Sequence, residues 1–191
     1  MTEIKIEKKQ PVWPWILLVL GFLIAAWFFL FRDDKAEIVE TADKTALLDL
    51  RENNSIVANY VAFINSGANA MSLDHAYSSE ALIKLTDAVD AMASETGYDV
   101  KVDIAKAKQY AEEITRDPLV TTHADKIRSA ADLLSTALQN MQTANYPSLS
   151  NEAADVKSAA EAINPEVLTL DQQDAVTYFF KKAADLLNKM N

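Results

Sequence analysis

The chain has 191 residues, with 28 acidic against 18 basic side chains, a formal net charge of −10 and no cysteine. The missing thiols exclude disulfides, cysteine-held iron–sulfur clusters, thiol nucleophiles and c-type haem attachment. The acidic balance argues against a nucleic-acid partner, because a phosphate backbone is bound by a basic face.

Residues 1–10, MTEIKIEKKQ, form a short tail holding Lys5, Lys8 and Lys9. Residues 12–31, VWPWILLVLGFLIAAWFFLF, run for twenty positions without a charge. A bilayer core about 30 Å thick takes roughly 20 apolar residues in a helix. Residues 11–32 are therefore expected to be a transmembrane anchor, with the lipid bilayer as partner. Trp13 and Trp15 at one edge, and Trp27, Phe31 and Arg32 toward the other, suit the headgroup region, where indoles settle and cations snorkel. Pro14 falls in the first turn, where its missing N–H is not needed. Gly21 has no second glycine four positions away, so no GxxxG pairing face is expected. A cleaved secretory signal fits less well, since its apolar region is about 7–15 residues and ends at a small-x-small site. Here the run is longer and ends in Trp27, Phe28, Phe29, Leu30 and Phe31. Acylation as a lipoprotein would need a cysteine.

Three lysines precede the run, and Arg32 and Lys35 follow it. The positive-inside rule counts such cations near the ends of a span, so the N-terminus is expected in the cytoplasm and the rest of the chain outside it. In a bacterium with two membranes, that means an inner-membrane protein with a periplasmic domain. Extracytoplasmic animal domains often carry disulfides, and their absence here tilts the reading toward a bacterial envelope.

Residues 33–42, DDKAEIVETA, read as an acidic juxtamembrane linker or as the start of a helix, and residues 43–191 as one acidic domain. Residues 33–191 carry 26 acidic and 14 basic side chains, a formal charge of −12. That length can bury a core. Gly67 and Gly97 are the only glycines of this part, and Pro118, Pro147 and Pro165 its only prolines. Sparse breakers and abundant alanine favour helix. A first helix is expected over Asp43–Ser66, with Leu47, Leu50, Ile56, Val57, Tyr60, Val61 and Ile64 on its apolar side, a weak point at Asn53-Asn54-Ser55 and a stop at Gly67. Ser79–Thr96 follows, with Leu82, Leu85, Val89 and Met92 on one stripe and Gly97 as its end. Asp99 is placed as the N-cap of a third helix bearing Val100, Ile104, Ala107, Ala111 and Ile114. Thr122 and Asp125 resemble a capping pair for a fourth, whose Ala124, Ile127, Ala131, Leu134, Leu138 and Met141 form a narrow seam. A short fifth helix over Asn151–Ile163 turns Val156, Ala160 and Ile163 inward. Thr169 and Gln172 fit a capping box for the last, with Val176, Phe179, Phe180, Ala183, Leu187 and Met190 on its apolar side. AADLL occurs at 130–134 and again at 183–187, a hint that two helices pack alike. The expected fold is all-α: a single N-terminal transmembrane helix, then a soluble bundle of four to six antiparallel helices.

The search for chemistry returns little. Neither histidine follows a glutamate by three positions, so the Glu-x-x-His pairs of di-iron bundles are absent. His75 reads as a polar residue at a helix start and His123 as a partly exposed first-turn residue, and two distant histidines fall short of a zinc site. Met71, Met92, Met141 and Met190 fit core filling better than haem ligation. Glu112 and Glu113 are adjacent, and adjacent helical positions diverge by about 100°, so they read as a solvated face. No Gly-rich phosphate loop and no G-x-S-x-G elbow occurs. No catalytic residue, cofactor or metal is expected. The function read from the sequence is a non-catalytic interaction or scaffold module of the cell envelope, bound to an envelope or membrane protein, with homo-oligomerisation left open. The alternative is a small-molecule-binding sensory or accessory domain that signals through a partner membrane protein.

Overall fold

Alanine and leucine at three- and four-residue spacing, hardly interrupted by glycine or proline, give helices wherever the chain is described. The computed structural model describes residues 20–21, 35–66, 71, 75–116, 120 and 123–191. Among the described residues there is no strand. Besides residues 20–21, which are helical, six α-helices are described, in order: α1 (Lys35–Asn65), α2 (Ala76–Thr96), α3 (Lys101–Arg116), α4 (His123–Asn145), α5 (Ser150–Glu161) and α6 (Gln173–Met190). Pro147–Leu149 and Thr169–Gln172 add two 3₁₀ turns. The chain divides into two units, and the second, Leu47–Asn191, holds α2 to α6.

From α2 onward each helix packs on the next, and α2 and α4 also meet each other and α6. Short connections between packed neighbours force the chain to reverse each time. Alanine lets these helices approach closely: Ala81 and Ala88 of α2, Ala107 and Ala111 of α3 and Ala130 and Ala131 of α4 are fully buried. The larger side chains fill the space between, with Leu82, Leu85, Ile127, Leu134, Leu138, Phe179 and Phe180 excluded from water. Each such side chain stabilises the fold by about 1.5–3 kcal/mol relative to exposure. The expected seam of α4 is buried at all six positions, and the four methionines sit in the core.

The helix ends follow local chemistry in some places and depart from it in others. Gly97 takes the left-handed conformation (φ 69°), and its N–H donates to the Ala93 carbonyl, closing α2 as expected. The N-cap of α3 falls one residue later than expected, at Val100, whose carbonyl accepts the Ile104 N–H, while Asp99 Oδ1 accepts the Lys101 N–H at 3.2 Å from just outside the helix. The capping box at Thr169 and Gln172 does not form. Gln172 turns back to the preceding loop, donating to the carbonyls of Asn164 and Val167, both at 2.7 Å, and accepting the Asn164 N–H at 2.9 Å. Three bonds to an irregular loop replace the one bond a cap would supply, and residues 169–172 tighten into a 3₁₀ turn. Arg128 holds the same loop from α4, donating to the carbonyls of Glu161 at 2.7 Å and Ile163 at 3.0 Å. These carbonyls lie at the end of α5, where a cation is favoured.

Helix α1 departs most from expectation. It begins at Lys35 rather than Asp43, so residues 35–42 continue a helix, and it runs unbroken through Asn53-Asn54-Ser55. Its C-terminal half joins the core through Val57, Tyr60 and Ile64. The Tyr60 hydroxyl donates to the Phe180 carbonyl at 2.8 Å, and Phe63 stacks on Tyr77 at 5.8 Å between ring centroids. Burial pushes the Tyr60 phenol well above its ordinary pKa, with Tyr77 and Asp185 adding to the effect, so it stays a neutral donor. Leu47 and Leu50, expected on the inward stripe, are not covered.

Candidate functional site

The residues singled out for the anchor fall almost wholly outside the described part. Lys5, Lys8, Lys9, Trp13, Pro14, Trp15, Trp27, Phe31 and Arg32 lie outside the described residues, as do Gly67, Pro118 and Thr122. Gly21 is described: it is helical and exposed, and a methyl group placed on it would meet nothing within 4 Å. Among the described residues no helix is long and apolar enough to cross a membrane.

The first candidate site is an apolar face. Leu47, Leu48 and Leu50 of α1 are 68%, 64% and 49% exposed. One exposed leucine is ordinary on a protein surface, but three within four residues of one helix form a patch. Its origin is simple. Leu47 and Leu50 extend the apolar side of α1 beyond Asn53 and Asn54, but the bundle covers that side only from Val57 onward. Asn53 and Asn54 mark the changeover and are half-buried. Beside them lies an open cleft of about 200 Å³ between α1 and α2, lined by Asn53, Ile56, Asp87, Asp90 and Ser94.

The second candidate is a buried polar cluster that sequence reasoning missed. His75 and His123, 48 positions apart, meet edge to face with ring centroids 4.3 Å apart. Both are buried, at 8% and 4% exposure, which corrects the expectation of distant histidines and a partly exposed His123. His75 sits at the N-cap of α2 in the left-handed region (φ 55°), the only described non-glycine residue there. Its carbonyl accepts the Ser79 N–H at 3.0 Å, and Ser79 Oγ donates to the Ala111 carbonyl at 2.8 Å. Ser78 Oγ is buried with no hydrogen-bond partner. A signal for this pair did exist. In a bundle whose neighbours alternate in direction, every second helix starts at the same end, and the two histidines open α2 and α4. Two imidazoles do not complete a metal site, and no group of three or more His, Asp or Glu among the described residues could hold an ion.

The charged surface is ordered. Ion pairs join each successive pair of helices from α2 to α6: Asp87–Lys108 at 2.8 Å, Glu113–Lys126 at 2.7 Å, Asp132–Lys157 at 3.5 Å, Asp155–Lys182 at 2.7 Å and Glu152–Lys189 at 2.6 Å. The Lys126 ammonium, helped by Gln109, holds the Glu113 carboxyl below its ordinary pKa, and Lys189 does the same for Glu152. In return, Glu113 raises Lys126, Asp155 raises Lys182 and Asp87 raises Lys108. Glu112 is exposed and Glu113 is committed to Lys126 and Gln109, so these neighbouring carboxylates do not share a site. A wider cleft of about 430 Å³ between α3 and α4 is lined by Asp103, Lys106, Tyr110 and Asp132. Lys106 and Lys126 lie over the Tyr110 ring at 6.0 and 5.3 Å, and Asp132 is held by Arg128 and Lys157.

No family model, curated protein or solved structure matches the chain. The functional reading therefore rests on its own residues.

Proposed function

We propose that this chain is a non-catalytic interaction module of the cell envelope, held at a membrane by residues 11–32. Its N-terminus lies in the cytoplasm and its helical bundle outside it. The observation that carries the reading is the exposed patch of Leu47, Leu48 and Leu50, sixteen to nineteen positions beyond the end of the apolar run at Phe31. A face of leucines in helical spacing is how one helix binds another. The uncharged run from 12 to 31 supports the anchor, because it has the length and the aromatic edges of a span. The dense alanine–leucine core and the internally paired charges support a scaffold role.

Alkaline carbonate extraction of the full chain, followed by protease added from the periplasmic side, tests the reading. The expected result is a membrane-bound chain whose bundle is digested with the inner membrane intact. A chain released to the supernatant, or digested only after that membrane is breached, overturns it.

A further inference from the structure

We propose that Leu47 and Leu50 of α1 form a short parallel helix seam with the same residues of a second copy of this chain. The inference rests on the membrane-tethered reading above and deepens it by naming the surface and its partner.

Leu47 and Leu50 are three apart, and Asn54 follows at four, which is the a–d–a spacing of a two-stranded coil. A single asparagine at an a position specifies register at a cost in stability, and Asn54, half-buried at the edge of the chain's own bundle, holds that position. In parallel register, Arg51 falls opposite an uncharged position and Asn53 opposite Ala58, so no like charges oppose each other across this stretch. Leu48 lies about 100° round the helix from Leu47, beside the seam rather than in it.

The seam is bounded at both ends. Glu40 and Asp43 hold the preceding register positions in the sequence, so the run of apolar residues stops there. Val57 is buried in the chain's own bundle. About two helical turns remain, far below the roughly 1,200 Å² that holds a stable complex together in solution. The seam therefore needs a tether. Two copies anchored through the same residues bring Leu47 to the same chain distance from the membrane, in parallel and in register. A foreign helix has no such built-in alignment. Confinement raises the effective concentration of the second contact and adds avidity without new area.

The chain has no cysteine, so single-cysteine variants give an unambiguous readout. Leu47→Cys, Leu48→Cys, Leu50→Cys and Val102→Cys, the last on an 80% exposed position of α3, are oxidised in native membranes. The expected result is a disulfide-linked homodimer at positions 47 and 50, roughly tenfold above that at 48 and 102, and absent when the membranes are dissolved in excess detergent before oxidation. Adding Leu50→Asp to Leu47→Cys should abolish the adduct with the thermal transition of the bundle unchanged. Equal cross-linking at Val102, no dimer at 47 and 50, or an adduct of another protein's mass overturns the pairing. Carbonate extraction of the same membranes separates the failures. A pelleted chain with no adduct sinks the seam alone. A released chain sinks the anchor, and with it the seam that depends on the tether.

Discussion

Helices α1 and α4 both carry apolar residues at three- and four-residue steps, interrupted in α1 at Asn53-Asn54-Ser55, and meet different fates. In α4, Ala124, Ile127, Ala131, Leu134, Leu138 and Met141 are all buried, because α2, α3, α5 and α6 pack around that helix. In α1, Val57, Tyr60 and Ile64 are buried, whereas Leu47 and Leu50 face water. Periodicity reports which face of a helix is apolar. It does not report whether the rest of the chain reaches far enough to cover that face. The difference is therefore one of supply: the described helices cover α1 at Val57, Tyr60 and Ile64 and leave Leu47 and Leu50 in water.

The largest expected effect separates the two helices directly. Leu138→Ala should cost about 2–5 kcal/mol, the range for a leucine removed from a close-packed site. Leu50→Ala should fall within about 0.5 kcal/mol of the parent chain. Urea unfolding of the detergent-solubilised chain, followed by circular dichroism, compares them. A large cost at Leu50 would mean that its face is already packed. Gly97→Ala comes next. The space around Gly97 is open, so the cost is conformational, about 1–2 kcal/mol for a left-handed alanine, read by the same unfolding curve.

Tyr60→Phe tests the covered half of α1. It removes the hydroxyl that donates to the Phe180 carbonyl and should cost about 1 kcal/mol. An unchanged midpoint would show that α1 is held by packing alone. The smallest effects belong to the ion pairs, since exposed pairs contribute little and are screened by salt. Their direction is still fixed. Glu113 and Glu152 have folded pKa values below the ordinary 4.5, so their contribution is present above that value and is lost as pH falls through the lowered one. Lys126 and Lys182 are raised above 10.5, so theirs is present below that value and lost as pH rises through the raised one. Glu113→Gln should flatten the acid limb of the stability–pH curve slightly. An unchanged limb would leave Glu113 without a part in acid unfolding.

Much of the bundle was legible in the residues. Gly97 and Asp99 mark a helix end and a helix start through local chemistry, and neither needs a partner distant in sequence. The α4 seam is legible because six aligned apolar side chains are a strong signal. The two AADLL segments do pack alike in part, with Ala130, Ala131 and Leu134 buried as Ala183, Ala184 and Leu187 are; Leu133 is half-buried where Leu186 is fully buried. What escaped was set at longer range. Gln172 fits a capping box, yet the loop at 164–167 offers it three bonds. His75 and His123 look unrelated until α2 and α4 start at one end of the bundle. The exposure of Leu47 and Leu50 depends on where the other helices stop, which no local pattern encodes.

Amide hydrogen exchange along α1, measured on the full chain in membranes and again as a detergent-diluted monomer, tests the division of this helix most directly. Residues 57–64 should exchange slowly in both, covered by their own bundle. Residues 47–54 should exchange fast in the monomer and slowly in the membrane, where a second copy covers them. Protection of residues 47–54 in both states, or in neither, would contradict the account.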